Sequence, residues 1–194
     1  YAQDGLVDPD FPTNCRIDKK ISRYAAHRDI NTHIIDLAHY LVGEFTKVNG
    51  MMHTFIQERP VESNAKSTTL MPKVQRKMGK VTVDDTSIFL GTFENGALAN
   101  LEATSMALGR KPHLHLDIHG SKGSLTFDFE AMNRLQFFDN TNPLDRQGFR
   151  DILVTQQNGI HPYVGHWWPP GHILGYEHPF VHTAADFVNA CIDR

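Results

Sequence analysis

The sequence predicts an α+β fold in which a largely antiparallel mixed sheet of about six strands carries its helices on one face. Three observations lead there. Asn95-Gly96 joins two strand-like runs, 86–94 and 97–108, and this dipeptide is the strongest short hairpin signal because both turn positions accept positive φ. More short runs follow at close spacing, at 113–119, 124–129, 134–139 and 152–156, with a glycine-bounded turn between the first two. Helical period appears in two stretches, at about 32–42 and in the closing segment from Pro179, which supply the helices.

Taken in order, residues 1–28 read as an extended segment and then a loop punctuated by Pro9 and Pro12. The first helix is predicted at about 32–42, because Ile34, Leu37, Ala38 and Leu41 recur at i, i+3, i+4 and i+7. Asn31 and Thr32 can cap its start, and Gly43 stands where helices stop. Residues 45–57 alternate as a strand, and the polar stretch 59–80 reads as a long exposed loop. The aperiodic run 157–176, rich in Pro, Gly, His and aromatics, reads as a surface loop of functional length. The closing helix starts near Pro179 at its first position and is expected to bury Phe180, Ala184, Val188 and Cys191.

Composition bounds the function. The 194 residues suit one domain, 1–194, and the net charge of −3 with no basic cluster beyond Lys19-Lys20 argues against nucleic acid as a partner. No apolar run reaches the ~20 residues that span a bilayer, and no signal-peptide pattern opens the chain, so no membrane partner and a cytoplasmic location are expected. Cys15 and Cys191 do not form a disulfide framework, and Cys191 reads as a small core residue.

Asp29 and His33 carry the chemistry. They set a carboxylate and an imidazole four residues apart at the start of an amphipathic helix, Asp29 just before the first turn and His33 within it. The positive end of the helix dipole disfavours imidazolium there. A neutral His beside a carboxylate can exchange a proton with a substrate hydroxyl. Two other readings compete for attention. His113, His115, Asp117 and His119 fall on one face of a strand, either as candidate metal ligands or as a polar face in water or an interface. Trp167, Trp168, His172 and Tyr176 either form a sugar-stacking wall or tuck their loop onto the domain. No Ser or Cys stands in a nucleophile-elbow context.

Segment 29–36, Asp29-Ile30-Asn31-Thr32-His33-Ile34-Ile35-Asp36, resembles the D-x-G-x-H-x-x-D signature of the glucose-fructose oxidoreductase / inositol dehydrogenase / MocA-like family. Tyr1-Ala2-Gln3-Asp4 resembles that family's aromatic-Q-D start, and Cys15-Arg16-Ile17-Asp18 its W-R-x-D stretch. Asp85-Thr86 leading to Phe93-Glu94-Asn95-Gly96-Ala97 resembles its D-D-T … F-x-N-G-A hairpin. Gly120-Ser121-Lys122-Gly123-Ser124-Leu125 resembles its G-x-x-G-S-L turn, and Trp167 to His172 with Gly175-Tyr176-Glu177 a late loop of many members. Each match is short; their shared order along the chain is what makes the set specific.

The resemblance implies the C-terminal, substrate-binding and oligomerisation domain of an NAD- or NADP-dependent dehydrogenase or reductase acting on a sugar or polyol. His33 is then the proton acceptor or donor and Asp29 holds substrate hydroxyls, with Asp36 as the later acid of the pattern. Arg16, Thr32, His172 and Tyr176 join Asp29 as substrate-contact positions; Arg16 could equally pair with Asp18 or Asp29. The open sheet face is implied to be a homo-oligomer interface. Its own Rossmann domain is the implied partner, because the chain has no G-x-G-x-x-G fingerprint, no assignable cofactor-binding residue and no E-K-P motif. It also stops in a helix, before the family's usual last strand, so 1–194 is expected to be a domain without its cofactor-binding half and inactive alone. Arg23-Tyr24-Ala25-Ala26-His27-Arg28 replaces the family's glycine-rich run. That departure keeps a second function open, a non-catalytic binding or assembly module, and the 113–119 histidines keep a metal-binding protein as a third.

Overall fold

The segment before the first predicted turn is already helical: Ala26–Ile30 forms a single π turn, and α1 follows without a break over Asn31–Leu41. In this computed structural model residues 1–12, 26–61, 77–156 and 161–193 are described. The chain divides into two units, Tyr1–Leu114 and His115–Arg194.

In the first unit α1 lies on a three-stranded antiparallel sheet of order β1–β4–β5, formed by Phe45–His53, Thr86–Phe93 and Leu98–Thr104. Strand alternation sorts the side chains. Ser87, Phe89, Phe93, Leu101 and Ala103 share the helix face, and Ala103 packs with Ala26 and Ile30. Ile88 and Leu90 point the opposite way. Phe45 stacks on Phe93, ring centroids 4.2 Å apart, and its ring lies over Gly91, where an added Cβ would come within 2.5 Å of it. Gly96 takes φ 83° to close the β4–β5 hairpin, while the Asn95 carboxamide accepts from Ala97 N–H and donates to Val42 O. Tyr1 to Gln3 run beside β5, with Ala2 bonded to His113 and Gln3 to Thr104.

Residues 59–80 are not simply an exposed loop. β2 (Glu58–Pro60) and β3 (Met78–Lys80) pair as a two-stranded sheet, and Arg59 is fully buried, donating from its guanidinium to the carbonyls of Leu6 and Asp8. A cation whose two terminal nitrogens are hydrogen-bonded is tolerated inside, so polarity alone misplaced this segment. Residues 62–76 lie outside the described residues.

In the second unit β6 (His115–His119), β7 (Gly123–Asp128), β8 (Arg134–Asp139) and β9 (Arg150–Leu153) form an antiparallel sheet in chain order. The helix α2 spans Glu177–Ile192, so Pro179 is its third residue rather than its first. It buries nothing: Phe180 and Val188 are 60% and 52% exposed, and Cys191 is exposed too. Periodicity gave the helix an apolar stripe; it does not supply a surface to cover it. The nine strands among the described residues therefore fall into three sheets, antiparallel in every registered pair, within an α+β fold. No helix among the described residues is long and apolar enough to cross a membrane.

Candidate functional site

The helical segment 26–41 has two distinct sides. Ala26, Ile30, Asn31, Ile34 and Ala38 are buried against the sheet, whereas Asp29, Thr32, His33 and Asp36 are exposed. Asp29 and His33 thus stand one turn apart on the solvent side of a backbone fixed from behind. A carboxylate and an imidazole so placed can hold a hydroxyl and take its proton once a substrate covers them. The Tyr1 ring lies 6.3 Å from the His33 ring at a 46° tilt. Sequence reasoning missed this neighbour, although the aromatic-Q-D segment that carries it was visible.

The reason proposed for a neutral His33 does not hold. Helical backbone begins at least seven residues earlier, at Ala26, so His33 is not in a first turn and sees no unpaired N–H groups. Neither Asn31 nor Thr32 caps α1, whose start has no side-chain cap. Asn31 is completely buried; its amide nitrogen donates to Ser87 Oγ at 3.2 Å and approaches His27 Nδ1 at 3.3 Å. Thr32 Oγ1 donates to Arg28 O at 2.9 Å. Arg16 lies outside the described residues. On the β1 side of the helix, His27, Ile35, Phe45, Met52 and Phe89 line an apolar cleft of about 330 Å³.

The remaining predicted positions belong to the second unit. His172 Nδ1 donates to Pro169 O at 2.7 Å, which leaves its exposed Nε2 as the acceptor in the neutral ring, and Trp168 lies 5.7 Å away. Tyr176 packs edge-on against Phe129 and Phe180. Trp167 donates from Nε1 to His182 Nε2 at 3.0 Å, and His182 stacks on Tyr163 at 4.0 Å and 3°. Leu174 is held at both backbone polar atoms by the Asn133 carboxamide. These contacts fasten the late loop to its own unit.

Histidines 115 and 119 alternate onto one face of β6 as predicted, but with partners of their own. His115 Nε2 meets Asp117 at 3.0 Å, Thr126 donates to the same carboxylate at 2.7 Å, and His119 pairs with Ser124. The Thr126 bond, with His115 behind it, holds the Asp117 carboxyl below the usual range. His113 precedes the strand, bonded through its backbone to Ala2.

Comparison with known proteins fits this frame. The GFO/IDH/MocA C-terminal domain family matches residues 1–126. The levoglucosan dehydrogenase of Pseudarthrobacter phenanthrenivorans is 38% identical over 192 residues, 98% of this chain and 48% of that protein. Among solved structures, an oxidoreductase domain protein from Kribbella flavida superimposes with a TM-score of 0.87 at 45% identity, over 98% of this chain and 48% of that one. A levoglucosan dehydrogenase in complex with NADH and L-sorbose gives a TM-score of 0.89 at 37% identity, over 100% of this chain and 48% of that one. The chain spans about half the length of the relatives it matches.

Proposed function

The chain belongs to the GFO/IDH/MocA family through its C-terminal domain, and we propose from this that it forms the substrate-binding part of an NAD- or NADP-dependent oxidoreductase acting on a sugar or polyol hydroxyl. The observation that carries the reading is the exposed Asp29–His33 pair, on a helix buried on its opposite side, at the family's acid-to-His spacing. The dinucleotide does not fit this chain's residues, because no glycine-rich turn in the sequence can cradle its phosphates. A second domain of the full-length protein holds it, and when bound the nicotinamide supplies the two-electron acceptor for the carbinol hydrogen. The chain's own part is proton transfer and orientation. His33 takes the hydroxyl proton as the C–H bond breaks, and Asp29 accepts a hydrogen bond from a neighbouring hydroxyl and holds the ring in place. Thr32, exposed one position before His33, adds a substrate contact on the same unit.

Levoglucosan is the first substrate to try with the full-length protein, followed by free sugars and polyols, each with NAD⁺ and NADP⁺. His33→Ala should lower the rate of nicotinamide reduction by roughly 10²–10⁴-fold, the usual size of general acid–base catalysis. A loss below about threefold would end the assignment. We also infer that the sheet face turned away from α1 packs against a second copy, since Met51, Leu90 and Leu98 are 70%, 63% and 81% exposed there.

A further inference from the structure

Two adjacent acids lead into β4 and serve different neighbours. Asp85 turns toward the strands: its carboxylate accepts from the backbone N–H groups of Phe55 at 2.6 Å and Ile56 at 3.1 Å, closing the turn after β1. Asp84, 6% exposed, turns toward the helix. Its Oδ2 accepts from His27 N–H at 2.7 Å, and its carbonyl accepts from Ala26 N–H at 3.2 Å. Both donors open the π turn Ala26–Ile30. Just past the other end of that turn, Asn31 is bonded to Ser87, three residues after Asp84. His27 Nδ1 also lies 3.1 Å from Ser87 Oγ.

The π turn is therefore pinned at both ends to the start of one strand, and the solvent side it presents carries Asp29. A π turn holds one residue more than an α turn. Its collapse to α geometry would turn Ala26 by about 100° relative to His33, the angle of one helical residue, and Asp29, near the end of the turn, by a smaller part of that. Propensity alone favours that collapse, because π turns are rare and persist where surrounding structure imposes them. We propose that Asp84 is a positioning residue: its carboxylate holds the π turn open and so sets Asp29 against His33, with Ser87 and Asn31 as the second anchor. The proposal rests on the functional reading above.

The test uses the full-length protein. In Asp84→Ala, kcat/KM for the sugar should fall by roughly 10–100-fold, the scale of a misplaced catalytic group, with kcat lowered and KM raised because Asp29 holds the ring, while the NADH Kd changes less than about threefold. Asp84→Asn keeps an acceptor oxygen at the same place and should stay within about threefold of the parent. All variants are assayed well below their melting temperatures, so a role in stability alone moves Tm but not kcat. Should Asp84→Ala not fold, Ser87→Ala releases only the second anchor and should still lower kcat several-fold. A folded Asp84→Ala with kcat within twofold of the parent overturns the proposal, as does an Asn variant no better than the Ala variant. His33→Ala is run beside them. If it too keeps its rate, the functional reading is what fails; if it alone loses rate, only the role of Asp84 falls.

Discussion

At the scale of single residues, burial decides what a side chain is for, and sequence pattern sees burial only through periodicity. Asn31 shows the consequence. In sequence it stands before an apolar stripe, where Asn commonly caps a helix; in the structure it is fully buried and bonded to Ser87. The helix had already begun, and only the rare π geometry of Ala26–Ile30, which no apolar pattern encodes, brings Asn31 round to the sheet. Asn31→Ala should therefore destabilise the protein by about 1–3 kcal/mol, because it removes a buried hydrogen bond to Ser87 Oγ and opens a small void. Thr32→Ala, one position on, is exposed and should shift stability by no more than about 0.5 kcal/mol. Chemical denaturation of the two variants under identical conditions checks this; equal effects would mean that Asn31 is a surface cap after all.

At the scale of elements, hairpins were legible and helix environments were not. Asn95-Gly96 encodes its own turn, so β4 and β5 lie within a few residues of their predicted limits. The late loop encodes no period, and its anchorage is set by side chains distant in sequence: Trp167 donates to His182, His182 stacks on Tyr163, and Tyr163 O–H donates to Asp186. That anchorage is pH-sensitive. Burial, and then the neighbouring His182, hold His161 below the ordinary imidazole value of 6.5. His182 can accept from the indole only while its Nε2 is unprotonated. A depressed histidine contributes stability that is complete above about pH 6.5 and is lost as pH falls through its lower folded value, because the unfolded chain binds the proton first. Tyr163 stays neutral across the window, because its hydrogen bond to Asp186 raises the phenol above its ordinary value. Protonation of His161, whose ring lies 4.4 Å from that of Trp167, should thus move the Trp167 indole N–H resonance toward its solvent-exposed position, reversibly, as pH falls below 6.5, in a spectrum assigned with Trp168→Phe. His182→Phe should abolish the shift by freeing the indole at both pH values. An indole resonance unmoved at pH 5 in the parent would show that the loop is held by packing instead.

At the scale of the whole molecule, the order of short motifs along the chain was more informative than any local pattern. Six weak matches in sequence fixed the family because a shared fold constrains spacing over the entire chain, and local physics constrains it only within a turn or two. What the same pattern leaves open is which surfaces are buried by other chains, since an apolar residue on a strand looks alike whether its cover is a helix or a partner. The β1–β4–β5 sheet poses that question directly. One face is occupied by α1, and the other presents Met51, Ile88 and Leu90 in cross-strand register on β1 and β4, with Leu98 at the start of β5. Leu90 neighbours Asn49 on one side and Asn100 on the other, and Glu102 stands on the same face of β5, diagonal to Leu90 and opposite Ile88. If two copies pair through this face as proposed above, Leu90→Lys would put an ammonium into an otherwise apolar part of that interface, at a desolvation cost. In the isolated chain Leu90 is 63% exposed, so the substitution should leave folding almost untouched. Sedimentation velocity of the full-length protein at micromolar concentration should accordingly show the mass fall by half or more in Leu90→Lys, with the circular dichroism spectrum unchanged. Unchanged mass would place the interface elsewhere and leave this face open to water.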